Sequence, residues 1–262
     1  MRVVPLNAFK RRLFVAALIG LASISQARYR IPHDMPQIEG RVDLSSGQLD
    51  ADTVQKLSDI AATYAKVAKE NYALIVETLH TEDRPVTASF VMIVVTPAYD
   101  GSAATYNSGN GRIIKVGAKY ALEHRDDVGV IVHEMVHVVQ SYRTKDPEWL
   151  SEGIADYVRW FFYEPEKKRP HPKLPSANAR GSYQTTAAFL FWAATKYDAY
   201  LVPKLNWALQ NRTYTEDLFG QITGKSLDEL NTEWQATLSA PPPKADEKIT
   251  TPPVSPPTPP RI

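Results

Sequence analysis

Residues 126–142 read DDVGVIVHEMVHVVQSY, and the rest of the chain has to be built around them. The acidic pair Asp126 and Asp127 complements the positive end of a helix dipole. From Val128 to residue 139, everything except His133, Glu134 and His137 is apolar or glycine. That pattern predicts a helix running through the centre of a domain. Two histidines four apart lie on one helical face, so both imidazoles can reach a single point. Polar groups inside such a run are costly unless partnered, so all three need a reason to be there. The competing reading is a pair of neutral core histidines and one ion-paired glutamate.

His133-Glu134-Met135-Val136-His137 has the H-E-x-x-H spacing of zinc hydrolases, with Glu134 placed to hold a water beside the ion. A catalytic zinc takes three protein ligands and one open position. The chain has no cysteine, so the third ligand must be nitrogen or oxygen. Downstream, residues 146–159 read DPEWLSEGIADYVR. Asp146 as N-cap, Pro147 in the first turn and Glu148 just after it predict a second helix. His137 and Glu152 lie at similar distances from the turn between the two helices. At ~1.5 Å per residue both sit ~7–8 Å from it, which matches their depth in an antiparallel pair. Glu152 is therefore the expected third ligand. Gly153 is expected to let these two helices approach closely. Asp156, one turn on, is expected to accept a hydrogen bond from the far nitrogen of a ligating histidine. A surface pair between Asp156 and Arg159 is the alternative.

These segments, HEMVHVVQSY and PEWLSEGIADYVRW, resemble the basic secretory protein family, zinc peptidases of plants and bacteria. The resemblance extends to FVMIVVTPAYDGSAATYNSGNGRIIKVGAKY upstream and to SYQTTAAFLFW and TGKSLDELNTEW downstream, about residues 88–239. It implies a zincin-like fold with His133, His137 and Glu152 on Zn2+ and Glu134 as base. It also implies a peptide or protein substrate. One departure is charge, because the body of this chain is slightly acidic.

The remaining sequence sets the frame. The chain has 262 residues, 30 Lys+Arg against 29 Asp+Glu, and 44% hydrophobic residues, enough for a full core. Zero cysteine excludes a disulfide scaffold and a cysteine nucleophile. No Rossmann glycine fingerprint or P-loop occurs, and the near-neutral charge gives no case for nucleic acid. Residues 1–27 combine Arg2, Lys10, Arg11 and Arg12 with an apolar run and Ser25-Gln26-Ala27, which predicts a cleaved signal peptide. An uncleaved anchor is the alternative. Removing the leader leaves 26 basic against 29 acidic residues. No later run is long and apolar enough to span a bilayer, so a secreted or cell-envelope protein without stable membrane insertion is expected, acting as a monomer. Residues 241–262 hold nine prolines and read as an extended tail. Residues 28–240 are left as one metallopeptidase domain.

Within that domain, 51–79 has helical apolar spacing and 88–96 (ASFVMIVVT) reads as a buried strand. Residues 99–111 suggest a loop, with 106–110 over the cleft, and 112–116 suggest a strand at a sheet edge able to pair with a peptide. Helical pattern then runs to 239, with a capping box at Ser226 and Glu229. Together these predict an α+β fold: a small mixed sheet, an active-site helix and a mainly helical C-terminal half. A donor to the oxyanion is sought among Tyr183, Tyr157, His171 and Arg180, with Tyr183 the first choice. Two other functions compete. One is a non-catalytic, secreted, metal-containing binding protein of the cell envelope. The other is a structural zinc site, which would need a fourth ligand such as His124 or His171.

Overall fold

The computed structural model describes residues 35–45, 49–79, 88–143 and 147–239. The expected leader 1–27, the proline tail 241–262 and the Asp146 cap lie outside the described residues. Four strands form one sheet: β1 (Gln37–Val42), β2 (Phe90–Thr96), β3 (Ala103–Ser108) and β4 (Gly111–Gly117). Their order is β1-β2-β4-β3, with β1, β2 and β4 parallel and β3 antiparallel to β4. The sheet is mixed, as expected.

Between β1 and β2 runs α1 (Ala51–Leu79), with the bounds its periodicity predicts. Its buried stripe includes Leu57, Ala61, Tyr64, Ala68 and Ile75, and it packs against the sheet and the central helix. Strand β2 is interior, and Val91, Ile93 and Val95 are fully buried, which is why its sequence lacks polar alternation.

Two expectations about the sheet are corrected. Residues 103–108 are a strand, although their Thr, Asn and Ser content reads as loop. An edge strand has a solvent side, and polar residues there are compatible with pairing. Ser108 pairs with Gly111 across a two-residue connection, and Gly109 takes φ +56° to close it. Consequently β4 is interior and, among the described residues, β3 is the free edge on that side. Neither charge of β4 marks an edge: Lys115 is on the solvent face, exposed over the Tyr106 ring, while Arg112 is half-buried on the side of Ile114 and Val116 and reaches Ser141 Oγ just past the central helix.

After the sheet come α2 (Ala118–Glu123), α3 (Gly129–Gln140), α4 (Glu148–Val158), α5 (Tyr183–Lys196), α6 (Leu201–Asn211), α7 (Asp217–Thr223) and α8 (Leu227–Ser239). The expectation of helix throughout is corrected between α4 and α5. There a π-helical turn (Arg159–Tyr163) and a short 3-10 turn (Glu166–Lys168) give way to irregular chain carrying Pro170, Pro172 and Pro175. The capping box is present: the Ser226 amide donates to Glu229 Oε2 at 2.8 Å, and the Glu229 amide to Ser226 Oγ at 3.3 Å. No helix among the described residues is long and apolar enough to cross a membrane.

Candidate metal centre

Every residue of α3 is buried, including His133, Glu134 and His137. Contacts with α4 run in opposite order along the two helices: His133 meets Asp156, His137 meets Glu152, and Gln140 meets the Ser151 carbonyl. The pair is thus antiparallel, and the expected equal depth of His137 and Glu152 is what the structure has. Gly153 serves a different neighbour from the one expected. A β-carbon there would lie 2.2 Å from Thr186 Cγ2, so the glycine admits α5 rather than α3.

Three donor atoms converge. Glu152 Oε2 is 3.1 Å from Nε2 of both His133 and His137, and the two Nε2 atoms are 3.2 Å apart. The opposite ring nitrogens fix the tautomers. His133 Nδ1 lies 2.8 Å from Asp156 Oδ1, an acceptor, so this nitrogen carries the proton. His137 Nδ1 lies 2.8 Å from Gln140 Oε1. The Gln140 amide nitrogen donates to Ser151 O at 3.0 Å, which fixes its carbonyl oxygen toward the ring. When both rings are neutral, the two Nε2 atoms therefore turn lone pairs toward the Glu152 carboxylate oxygen. These three atoms, on residues under 10% exposed, form a group that could hold a metal ion. An ion bonded at ~2.0–2.1 Å in tetrahedral geometry has ligands ~3.3 Å apart, close to the spacings seen. Among the described residues, His133, His137 and Glu152 form the one group with metal-ligand spacing, and neither His124 nor His171 joins it.

The electrostatics agree. Burial alone would lower the His133 pKa, but hydrogen bonds to Asp156 and Glu152 outweigh it and push the value up to about 10. Burial raises the Glu152 carboxyl, yet the two imidazoles hold it well below the usual carboxylate range. The cluster favours a positive charge at its centre, which a proton on His133 or a bound cation can supply.

Above it opens a cleft of about 580 Å³. The α3/α4 pair makes its floor, through the three donors, Glu134 and Asp156, with Arg159 of the following π-helical turn beside them. One wall is residues 102–104 at the start of β3, and the other is residues 182–184 at the start of α5. The expected cover at 106–110 is corrected to 102–104, because 106–110 continue the strand and its turn. Glu134 is 4% exposed, and its Oε2 accepts a hydrogen bond from Thr105 Oγ1 at 2.6 Å. Tyr183 stands on the α5 wall, 44% exposed, its ring centroid 6.3 Å from that of His133.

The other oxyanion candidates are engaged elsewhere. Arg180 is paired with Glu216 and Asp228, Tyr157 is buried against Phe161 and Phe162, and His171 is exposed away from the cleft lining. Arg159 pairs with Asp127 and leaves Asp156 to His133. Phe161 belongs to the core, and Trp149, Trp160 and Phe162 are half-buried against it; none of the four lines the cleft. Sequence reasoning missed Gln140 and Thr105. Gln140 is the one uncharged polar residue ending an apolar helix three positions after His137, a signal that was there to read. Thr105 carried no such signal, since its strand reads as loop.

Comparison with known proteins supplies one match. A family model described as BSP, peptidase of plants and bacteria, covers residues 41–234, most of the chain. No curated protein and no solved structure matches.

Proposed function

The chain belongs to this family of peptidases of plants and bacteria, and from that premise we propose that it is a secreted, zinc-dependent peptidase. The observation that carries the zinc reading is the convergence of His133 Nε2, His137 Nε2 and Glu152 Oε2 beside a buried Glu134. Two imidazoles and one carboxylate are a zinc-hydrolase ligand set. Zinc bound there supplies Lewis acidity, which acidifies water and polarises a scissile carbonyl.

The protein's own groups do the rest. Glu134 takes the proton of the attacking water on its carboxylate and passes it to the leaving amine. Asp156 and Gln140 hold the two imidazoles in the tautomer that exposes Nε2. The Tyr183 hydroxyl, on the α5 wall, is the donor to the developing oxyanion. Strand β3, the free edge above the floor, offers backbone groups to an extended peptide. Zincin-like architecture, export through the 1–27 leader to the envelope or beyond, and action as a monomer complete the reading. A binding-only protein has no use for a base beside its ligands.

The test is hydrolysis of a peptide library by the purified chain. A chelator should abolish cleavage and added zinc should restore it. Glu134→Gln should keep its zinc, by elemental analysis, and lose about 10²–10⁴-fold in turnover. Unchanged hydrolysis in that variant removes Glu134 from the base role.

A further inference from the structure

Glu134 is held from outside its own helix. Thr105 Oγ1 lies 2.6 Å from Glu134 Oε2 and 3.2 Å from the Glu134 carbonyl oxygen. A hydroxyl has one proton, and the shorter contact to the charged oxygen takes it. A carboxylate at the end of a glutamate side chain turns freely about its last bond unless one oxygen is fixed. Here Oε2 is fixed and Oε1 is left for the water. The anchor comes from the other side of the cleft: Thr105 directly follows Ala103 and Ala104, which line it. On this strand Tyr106 turns outward, 43% exposed under Lys115, while Thr105 pairs with the fully buried Ile114 and points at α3.

We propose that Thr105 is a positioning residue for Glu134, a hydroxyl on the substrate-side strand that sets the orientation of the base on the floor. This rests on the peptidase reading above. The strand wall and the base then form one unit, so that the wall which receives the peptide also aims the group that activates water.

The experiment compares Thr105→Val, which keeps the shape and removes the donor, with Thr105→Ser, which keeps the donor. In the valine variant kcat should fall about 10- to 100-fold, the scale of a misaimed catalytic group, with KM, zinc content and Tm near wild type. The serine variant should recover most of that loss. Thr105→Ala, which adds no bulk, takes the place of valine should valine unfold. A valine variant within about twofold of wild type overturns the proposal. So does a serine variant as impaired as valine, or a loss that falls on KM or zinc content instead of kcat. A wild-type chain without chelator-sensitive hydrolysis overturns the peptidase reading, and this with it. Wild-type activity with an indifferent valine variant overturns this inference alone.

Discussion

Charged side chains gather in two parts of the molecule, on opposite terms. Over the C-terminal helices Glu216, Asp228 and Glu233 each meet a cation. Arg180 grips Glu216 through Nε to Oε1 at 2.8 Å and Nη2 to Oε2 at 2.6 Å, and reaches Asp228 at 2.8 Å. Glu233 meets Lys196, Lys225 and the Tyr197 hydroxyl. All of this is at the surface, where water already solvates each charge and pairing adds little. Between α3 and α4, by contrast, Glu152 and Asp156 are 4% and 5% exposed and face imidazole nitrogens. Dry carboxylates without a full complement of cations are expensive. A fold carries such a cluster for what it can hold rather than for its stability.

Substitutions in the two regions should separate accordingly. Glu152→Ala removes a direct donor, so metal retention should drop by more than the ~10–100-fold typical of an outer partner, taking hydrolysis with it. Equal metal content by elemental analysis would mean that another residue supplies the third ligand. Tyr183→Phe should lower kcat about 10²-fold while leaving zinc content unchanged, which steady-state kinetics will read. Asp156→Asn should weaken zinc ~10–100-fold in a chelator competition. Gln140→Leu should cost less, about tenfold, because a neutral carbonyl is the weaker acceptor. The reverse order would show that charge behind the imidazole is not what matters.

On the surface, effects should be small and salt-sensitive. Arg180→Ala should cost about 0–1 kcal/mol, measured by denaturant unfolding. Glu233 sharpens the contrast through pH. Hydrogen bonds from Lys196, then Lys225, then Tyr197 lower its pKa to about 2 from the ordinary 4.5. Its contribution is therefore present above pH 4.5 and lost as pH falls through about 2. The Tm gap between wild type and Glu233→Gln should be level above that range and close within it. A gap that widens on acidification reverses the sign and breaks the assignment.

The sequence exposed these regions unequally. The floor of the cleft was legible because a buried helix leaves a stark pattern: polar residues stand out in an apolar run, and spacing alone puts His133 and His137 on one face. The depth argument reached Glu152, and one helical turn reached Asp156. Helix α1 was legible to its ends for the same reason. The walls were not. Residues 103–108 form an edge strand whose partner, β4, is only a turn away, yet its side chains are half solvated and carry no alternation to read. With β3 unseen, β4 looked like an edge and Thr105 had no address. The pairs of Arg180 with Glu216 and Asp228 and of Lys196 with Glu233 join positions 36 to 48 residues apart, and periodicity says nothing about such partners.

At Gly153 the gauge of the cleft's mouth comes down to a hydrogen atom. Helix α5 leans on α4 at that point, with Thr186 filling the place a methyl group would take. Tyr183, one turn before Thr186, rides on the same rod. Any side chain at 153 would therefore act as a shim, prying the tyrosine wall off the floor without touching one metal donor. On the zinc-peptidase reading, a variant altered there would retain metal and lose its grip on the substrate.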